Sequence, residues 1–243
     1  MKRIIFPFLG VLMLVFSGCN NDKGDELERF IGVPAVVGYN SSIGYILITH
    51  DETFLAPDLA DYHYYGYFDI EDAILANFII NHSRQPSKDY RTVTNFQLSM
   101  WLDKVKPEES ESGDPDDYEP VESIGFFPII MYDMIHVLFV ACYHKDTYYR
   151  DFDYEMIYDA GDTSSSPVLY LMAKKNKDSQ KGTKDEFLWP GAFDMSDYLM
   201  TLDRDSKNEV HLNVKFQGKD EDGNVVWKDY SDKPVTITFK EDD

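Results

Sequence analysis

The chain has 243 residues, 43% of them hydrophobic and 15% aromatic, enough to bury one or two ordinary cores, which excludes a protein disordered throughout. Its formal net charge of −21 repels phosphate backbones and anionic lipid headgroups, which argues against nucleic acid as a partner and against direct adsorption to a membrane surface.

The chain opens with Met1-Lys2-Arg3, continues as an almost unbroken apolar run from Ile4 to Phe16, and reaches Ser17-Gly18-Cys19. A basic start, a short apolar stretch and a small-residue cleavage site form the layout of a signal peptide. The run is shorter than the roughly 20 apolar residues that a permanent membrane span needs. Residues 1–18 therefore read as a leader, and its loss, with Lys2 and Arg3, would make the remaining chain more acidic still. Cys19, directly after small residues, resembles the lipobox cysteine of bacterial lipoproteins, with Phe16 where that motif prefers leucine. Acyl chains contribute about 0.8 kcal/mol per buried methylene, so a lipidated Cys19 would hold the protein at a membrane. A conventional secreted protein with a stray cysteine is the alternative. Residues 19–28 are polar and acidic, as expected of a tether.

From there the pattern is one of strands, and residues 29–103 read as a first domain. Val33 to Tyr39 and Gly44 to His50 are β-branched and aromatic runs joined by Asn40-Ser41-Ser42, a hairpin pattern, and Thr53 to Pro57 suits a third, shorter strand. Asp72 to Asn81 is strongly apolar. Tyr90 to Leu102 alternates, with Phe96, Leu98, Met100 and Leu102 on one face and Asn95, Gln97 and Ser99 on the other. Such a set of short strands suits a small barrel of the OB type. The segment Tyr62-His63-Tyr64-Tyr65-Gly66-Tyr67-Phe68, beside Asp61 and Asp69, supplies a candidate binding surface in Tyr62, Tyr64, Tyr65 and Tyr67, because tyrosines offer broad contact area at low entropy cost. The competing expectation is that half of these rings fill the core.

Residues 104–122 hold the acidic run Glu108 to Asp117 and little to bury, and read as an interdomain linker, with a metal-binding acidic loop as the sharper alternative. Residues 123–243 read as a second domain. Strands are predicted at Ile124 to Ile130, Met134 to Tyr143, Phe152 to Tyr158, Val168 to Ala173 and Phe187 to Trp189, with a turn or two of helix over Met195 to Leu202. Glu209 to Phe216 alternates, with Val210, Leu212, Val214 and Phe216 facing one way and His211, Asn213 and Lys215 the other. Asp222-Gly223 then turns the chain into Val225 to Trp227, and Val235, Ile237 and Phe239 alternate towards the end. Many short strands separated by turn residues suggest an immunoglobulin-like β-sandwich. The predicted fold class is all-β, an OB-like barrel followed by a sandwich.

Little in this chain carries the signature of catalysis. The six histidines, at 50, 63, 82, 136, 144 and 211, form no zinc-protease pair, and neither a nucleophile elbow nor a phosphate-cradling glycine loop occurs. Satisfied core or surface histidines are the expectation, with a zinc site assembled from dispersed residues as the minor alternative. Cys142 and His144 share one face of a strand, which keeps a nucleophile pair as an alternative to an inert buried thiol. With Cys19 acylated, Cys142 has no disulfide partner. Asp220-Glu221-Asp222-Gly223-Asn224 has calcium-loop composition but lies between strands, so a hairpin turn is the expectation. No catalytic residue, metal or cofactor is assigned, and an enzyme is not expected.

Four stretches carry a family resemblance: Tyr132-Asp133-Met134-Ile135-His136-Val137-Leu138-Phe139, then Val168-Leu169-Tyr170-Leu171-Met172-Ala173-Lys174-Lys175-Asn176, then Ala192-Phe193-Asp194-Met195-Ser196, and the Val210 to Phe216 strand with its Asp-Gly turn. In this order, and together with the lipobox, they resemble the NigD-like lipoproteins of Gram-negative gut and oral anaerobes. Lys174-Lys175 stand where that family has an arginine-histidine pair. The resemblance implies an OB-like first domain, a sandwich second domain and a non-catalytic binding or accessory role of the bacteriocin-immunity type. It carries over no catalytic residue. The expectation is a protein lipid-anchored at the outer membrane that binds a protein partner, or else a glycan as an accessory to polysaccharide uptake.

Overall fold

The computed structural model describes residues 26–85, 90–109, 117–131 and 135–239. Cys19 and residues 1–18, expected to be a leader, lie outside the described residues. Two compact units divide between Leu102 and Asp103.

The first unit contains β1 (Leu27–Asn40), β2 (Gly44–Ile48), β3 (Thr53–Leu55), the short helix α1 (Leu59–Tyr64), β4 (Ala73–Asn81) and β5 (Val93–Leu102). They form one antiparallel sheet in the order β3-β2-β1-β4-β5. Its two edges approach through a parallel bridge between Leu55 and Thr92, where the Leu55 N–H donates to the Arg91 carbonyl at 2.9 Å. This is the OB arrangement with an open barrel. The barrel is left open because β3, at three residues, is too short to build a ladder against β5. β1 begins at Leu27, inside the stretch expected to be tether, because Leu27 and Glu28 pair with Asn81 and Ile80 across β4. A bulge between Phe30 and Val33 bends it, with Gly32 at φ +64° donating its N–H to Asn77 Oδ1 at 2.7 Å. Such a backbone favours glycine.

Phe78 anchors this core, stacked on Phe30 at 4.7 Å and tilted on Phe54 at 5.2 Å between centroids. Where β3 meets the start of β5, Arg91 grips both oxygens of Glu52 and donates to Glu28 at 3.0 Å, while its guanidinium covers Phe54. His82 takes the same Glu28 oxygen at 2.9 Å. Charge-assisted, bidentate bonding of this kind ties strand ends that share no ladder.

The second unit is the expected sandwich. One sheet runs β6 (Lys104–Val105), β12 (Asp185–Asp194), β9 (Ile135–Thr147), β8 (Ser123–Met131). The other runs β14 (Val225–Asp229), β13 (Glu209–Lys219), β11 (Val168–Lys175), β10 (Phe152–Tyr158), β7 (Glu108–Glu109), with β15 (Val235–Thr238) also on β13. A single turn, α2 (Ser196–Leu199), follows β12. Leu138, Val140, Cys142 and Phe193 from the first sheet pack with Tyr154, Met156, Leu169, Leu171, Val210, Leu212, Val214 and Phe216 from the second. The alternation read along β13 holds at every position from Val210 to Phe216.

Two expectations for this unit are corrected. The segment 104–122 is not only linker: its described parts supply β6, parallel to β12 at Ala192 and Phe193, and β7, parallel to β10, and bury Tyr118 and Val121. Those pairings are made with strands distant in sequence, so local composition could not reveal them. The strand predicted at Phe187 to Trp189 is longer, Asp185–Asp194, and runs on through Pro190 and Gly191. β6 pairs with β12 only at Ala192 and Phe193, so Pro190 sits where that side of the strand has no described ladder partner, a position proline tolerates.

Candidate functional site

Of the four tyrosines proposed as a surface, the fold half-buries one and displays three. Along α1, Leu59 and Tyr62 fall one helical turn apart and face the core. Tyr62 sits edge-on to Phe96 at 5.1 Å and stacks over Phe68. Gly66, at φ +70°, reverses the chain, donating to the His63 carbonyl at 2.9 Å, and the Tyr67 N–H returns to the Tyr62 carbonyl at 3.0 Å. Tyr64, Tyr65 and Tyr67 are consequently turned out, at 83%, 71% and 54% exposure. Tyr65 lies 5.3 Å from Tyr64 and 6.4 Å from Tyr67, with interplanar angles of 81° and 59°. Exposed Asp61 and Asp69 flank the group.

The Cys142–His144 pair does share an inward face of β9, but both residues are fully buried. The His144 ring stacks on Phe152 at 3.8 Å and 2°. Its Nε2 lies 3.0 Å from Tyr154 Oη, whose own hydroxyl donates to the Trp189 carbonyl at 3.1 Å, so Nε2 carries the proton. Burial pushes the Cys142 thiol up to about 12 and the His144 imidazole down to about 3. A neutral thiol beside a neutral imidazole is the opposite of an activated nucleophile pair.

The acidic Asp220 to Asn224 segment is the hairpin between β13 and β14. Asp220 Oδ1 accepts the N–H groups of Asp222 at 2.9 Å and Asn224 at 2.8 Å, and Gly223 takes φ +85°.

One cluster was missed. Asp205, from the loop after α2, meets Glu209 and His211 of β13, with one ligand atom of each within 4.8 Å of the others. Asp205 Oδ1 accepts N–H groups from Lys207 and Glu209, and these backbone bonds, the one from Glu209 foremost, hold its carboxyl below the usual carboxylate range. The spacing of Glu209 and His211 on one strand face was legible. The approach of Asp205 was not, because it depends on a loop closed by Asn208 in the left-handed region, at φ +61°.

No protein-family model matches the sequence, and neither does any curated protein. Solved structures do match. A NigD-like immunity protein from Bacteroides caccae is 11% identical, over 90% of this chain and 99% of that chain, with a TM-score of 0.48. An uncharacterized protein from Parabacteroides merdae is 15% identical, over 86% of this chain and 99% of that chain, with a TM-score of 0.63. At these identities what is shared is architecture, and the chain has the all-β fold of the Parabacteroides merdae protein.

Proposed function

We propose that this chain is a lipid-anchored, non-catalytic binding protein of the NigD-like type, held at the outer membrane through Cys19, whose α1 tyrosine patch recognises a basic protein partner. The observation that carries the reading is the outward display of Tyr64, Tyr65 and Tyr67 between Asp61 and Asp69. Exposed aromatics with an acidic surround suit a protein interface, where tyrosine anchors bind and charge steers. A protective, immunity-type role is the form of such binding that the family resemblance implies. A glycan platform is the second reading, but stacking on a sugar calls for rings sharing a plane, and angles of 81° and 59° do not provide one.

A photo-crosslinking residue placed at Tyr65 in producing cells should trap a discrete protein, and the same residue at Asp222 on the other unit should not. Exposed charge pairs are screened by salt, so the adduct should weaken at high salt, and Tyr64→Ala should lower its yield about tenfold. Equal adducts from both positions, or loss of the adduct on adding oligosaccharide, would count against the proposal. The anchor is tested separately: Cys19→Ser should move the protein out of the membrane fraction, and a variant retained like the parent would refute it.

A further inference from the structure

We propose that Asp205, Glu209 and His211 bind a single divalent transition-metal ion of the zinc class through Asp205 Oδ2, Glu209 Oε2 and His211 Nε2. The inference is independent of the tyrosine patch. His211 Nε2 lies 3.2 Å from Asp205 Oδ2 and 3.9 Å from Glu209 Oε2. Ligands about 2.0–2.2 Å from a tetrahedral ion are separated by about 3.4 Å, so small side-chain rotations would admit one.

What distinguishes this cluster from an ordinary acidic patch is an imidazole at its centre and a support for each ligand's other heteroatom. His211 Nδ1 lies 3.1 Å from Thr236 Oγ1, which can hold the Nδ1–H tautomer and turn the Nε2 lone pair towards the two carboxylates. Glu209 Oε1 accepts the Thr238 hydroxyl at 3.2 Å. Asp205 Oδ1 is held by two backbone N–H groups. The two threonines stand directly opposite their ligands, since β15 pairs Thr236 with His211 and Thr238 with Glu209. Outer-shell partners of this kind fix tautomer and orientation at metal sites. The nearby Arg204 guanidinium is occupied with Asn208 Oδ1 and lies over the Phe239 ring.

The donor set selects the ion. Calcium and magnesium take oxygen ligands almost exclusively, whereas imidazole with carboxylates suits zinc and its neighbours. Three half-exposed ligands leave a fourth position to water. A bound ion would join the 205–209 loop to β13 and, through the threonines, to β15.

The test is calorimetric titration of the full chain in detergent with Zn2+, and separately with Ca2+. One Zn2+ should bind per chain in preference to Ca2+, and a hundredfold excess over Kd should raise Tm by about 5–10 °C. His211→Ala and Glu209→Gln should abolish both effects, and Thr236→Val should weaken Zn2+ about 10- to 100-fold. His82→Ala, at the Glu28 pair in the other unit, should change neither. Metal-free Tm and circular dichroism of the variants separate lost ligation from lost folding. Absence of Zn2+ binding, its persistence in His211→Ala, or equal affinity for Ca2+ would each overturn the proposal.

Discussion

Lowering the pH from 7 to 4 is expected to remove about 3 kcal/mol of stability through His144 alone. The imidazole is fully buried, and its folded pKa of about 3 lies below its ordinary value of 6.5. Above 6.5 the ring is neutral in both states and its pairing in the fold is fully effective. As the pH falls below 6.5, the unfolded chain takes up a proton that the folded chain refuses, so stability declines continuously until the folded ring titrates near 3. The limiting loss is about 5 kcal/mol.

The cause is local. Nε2–H already serves Tyr154, and Nδ1 is buried without a hydrogen-bond partner, so a second proton would place an unmatched charge against the Phe152 and Phe187 rings. Urea midpoints followed by circular dichroism from pH 7 to 4 should show this slope in the parent and a flatter one in His144→Phe, which keeps the stack on Phe152. The comparison cancels the carboxylates that titrate in both proteins. Parallel slopes would refute the assignment.

Gly191→Ala is expected to destabilise the second unit by about 3 kcal/mol or more, a severe effect for one methyl group. A β-carbon at this position would stand 2.5 Å from Tyr154 Cδ2 and 3.1 Å from Val140 Cγ2. The tyrosine cannot yield cheaply, because its ring is buried and its hydroxyl is fixed by both His144 and the Trp189 carbonyl. Either the ring shifts and gives up those bonds, or the two strands part. Gly125→Ala on β8 is the control, since its β-carbon would meet only Phe127, at 3.5 Å, ordinary contact. Chemical denaturation of both variants and of Gly191→Ala with Tyr154→Leu checks the mechanism: relief of the tyrosine contact should make the double variant more stable than the two single losses added together. Strict additivity would sink it.

These two results hinge on one residue, Tyr154, that nothing in the sequence singled out. Position 154 reads only as an apolar step in an alternating strand, whereas in the fold it sets the tautomer of His144 and requires a glycine at 191. The tyrosine patch shows the same division in reverse. Composition pointed to Tyr62, Tyr64, Tyr65 and Tyr67 together, but the helical turn of α1 and the reversal at Gly66 sort them into one half-buried ring packed against the core and three surface rings.

Alternation of apolar and polar side chains was sufficient to locate most strands and the faces they bury, from Phe96 to Leu102 in β5 and from Val210 to Phe216 in β13, because side-chain direction in a strand repeats every two residues whatever its neighbours are. The all-β class follows from that pattern. Pairing between distant segments decided the rest: the open edge beside the three-residue β3, the short parallel strands β6 and β7 within an acidic stretch, the passage of β12 through Pro190 and Gly191, and the meeting of Asp205 with His211. Each depends on which backbone lies alongside, and hydrogen bonds between strands carry no mark in the local sequence of either partner.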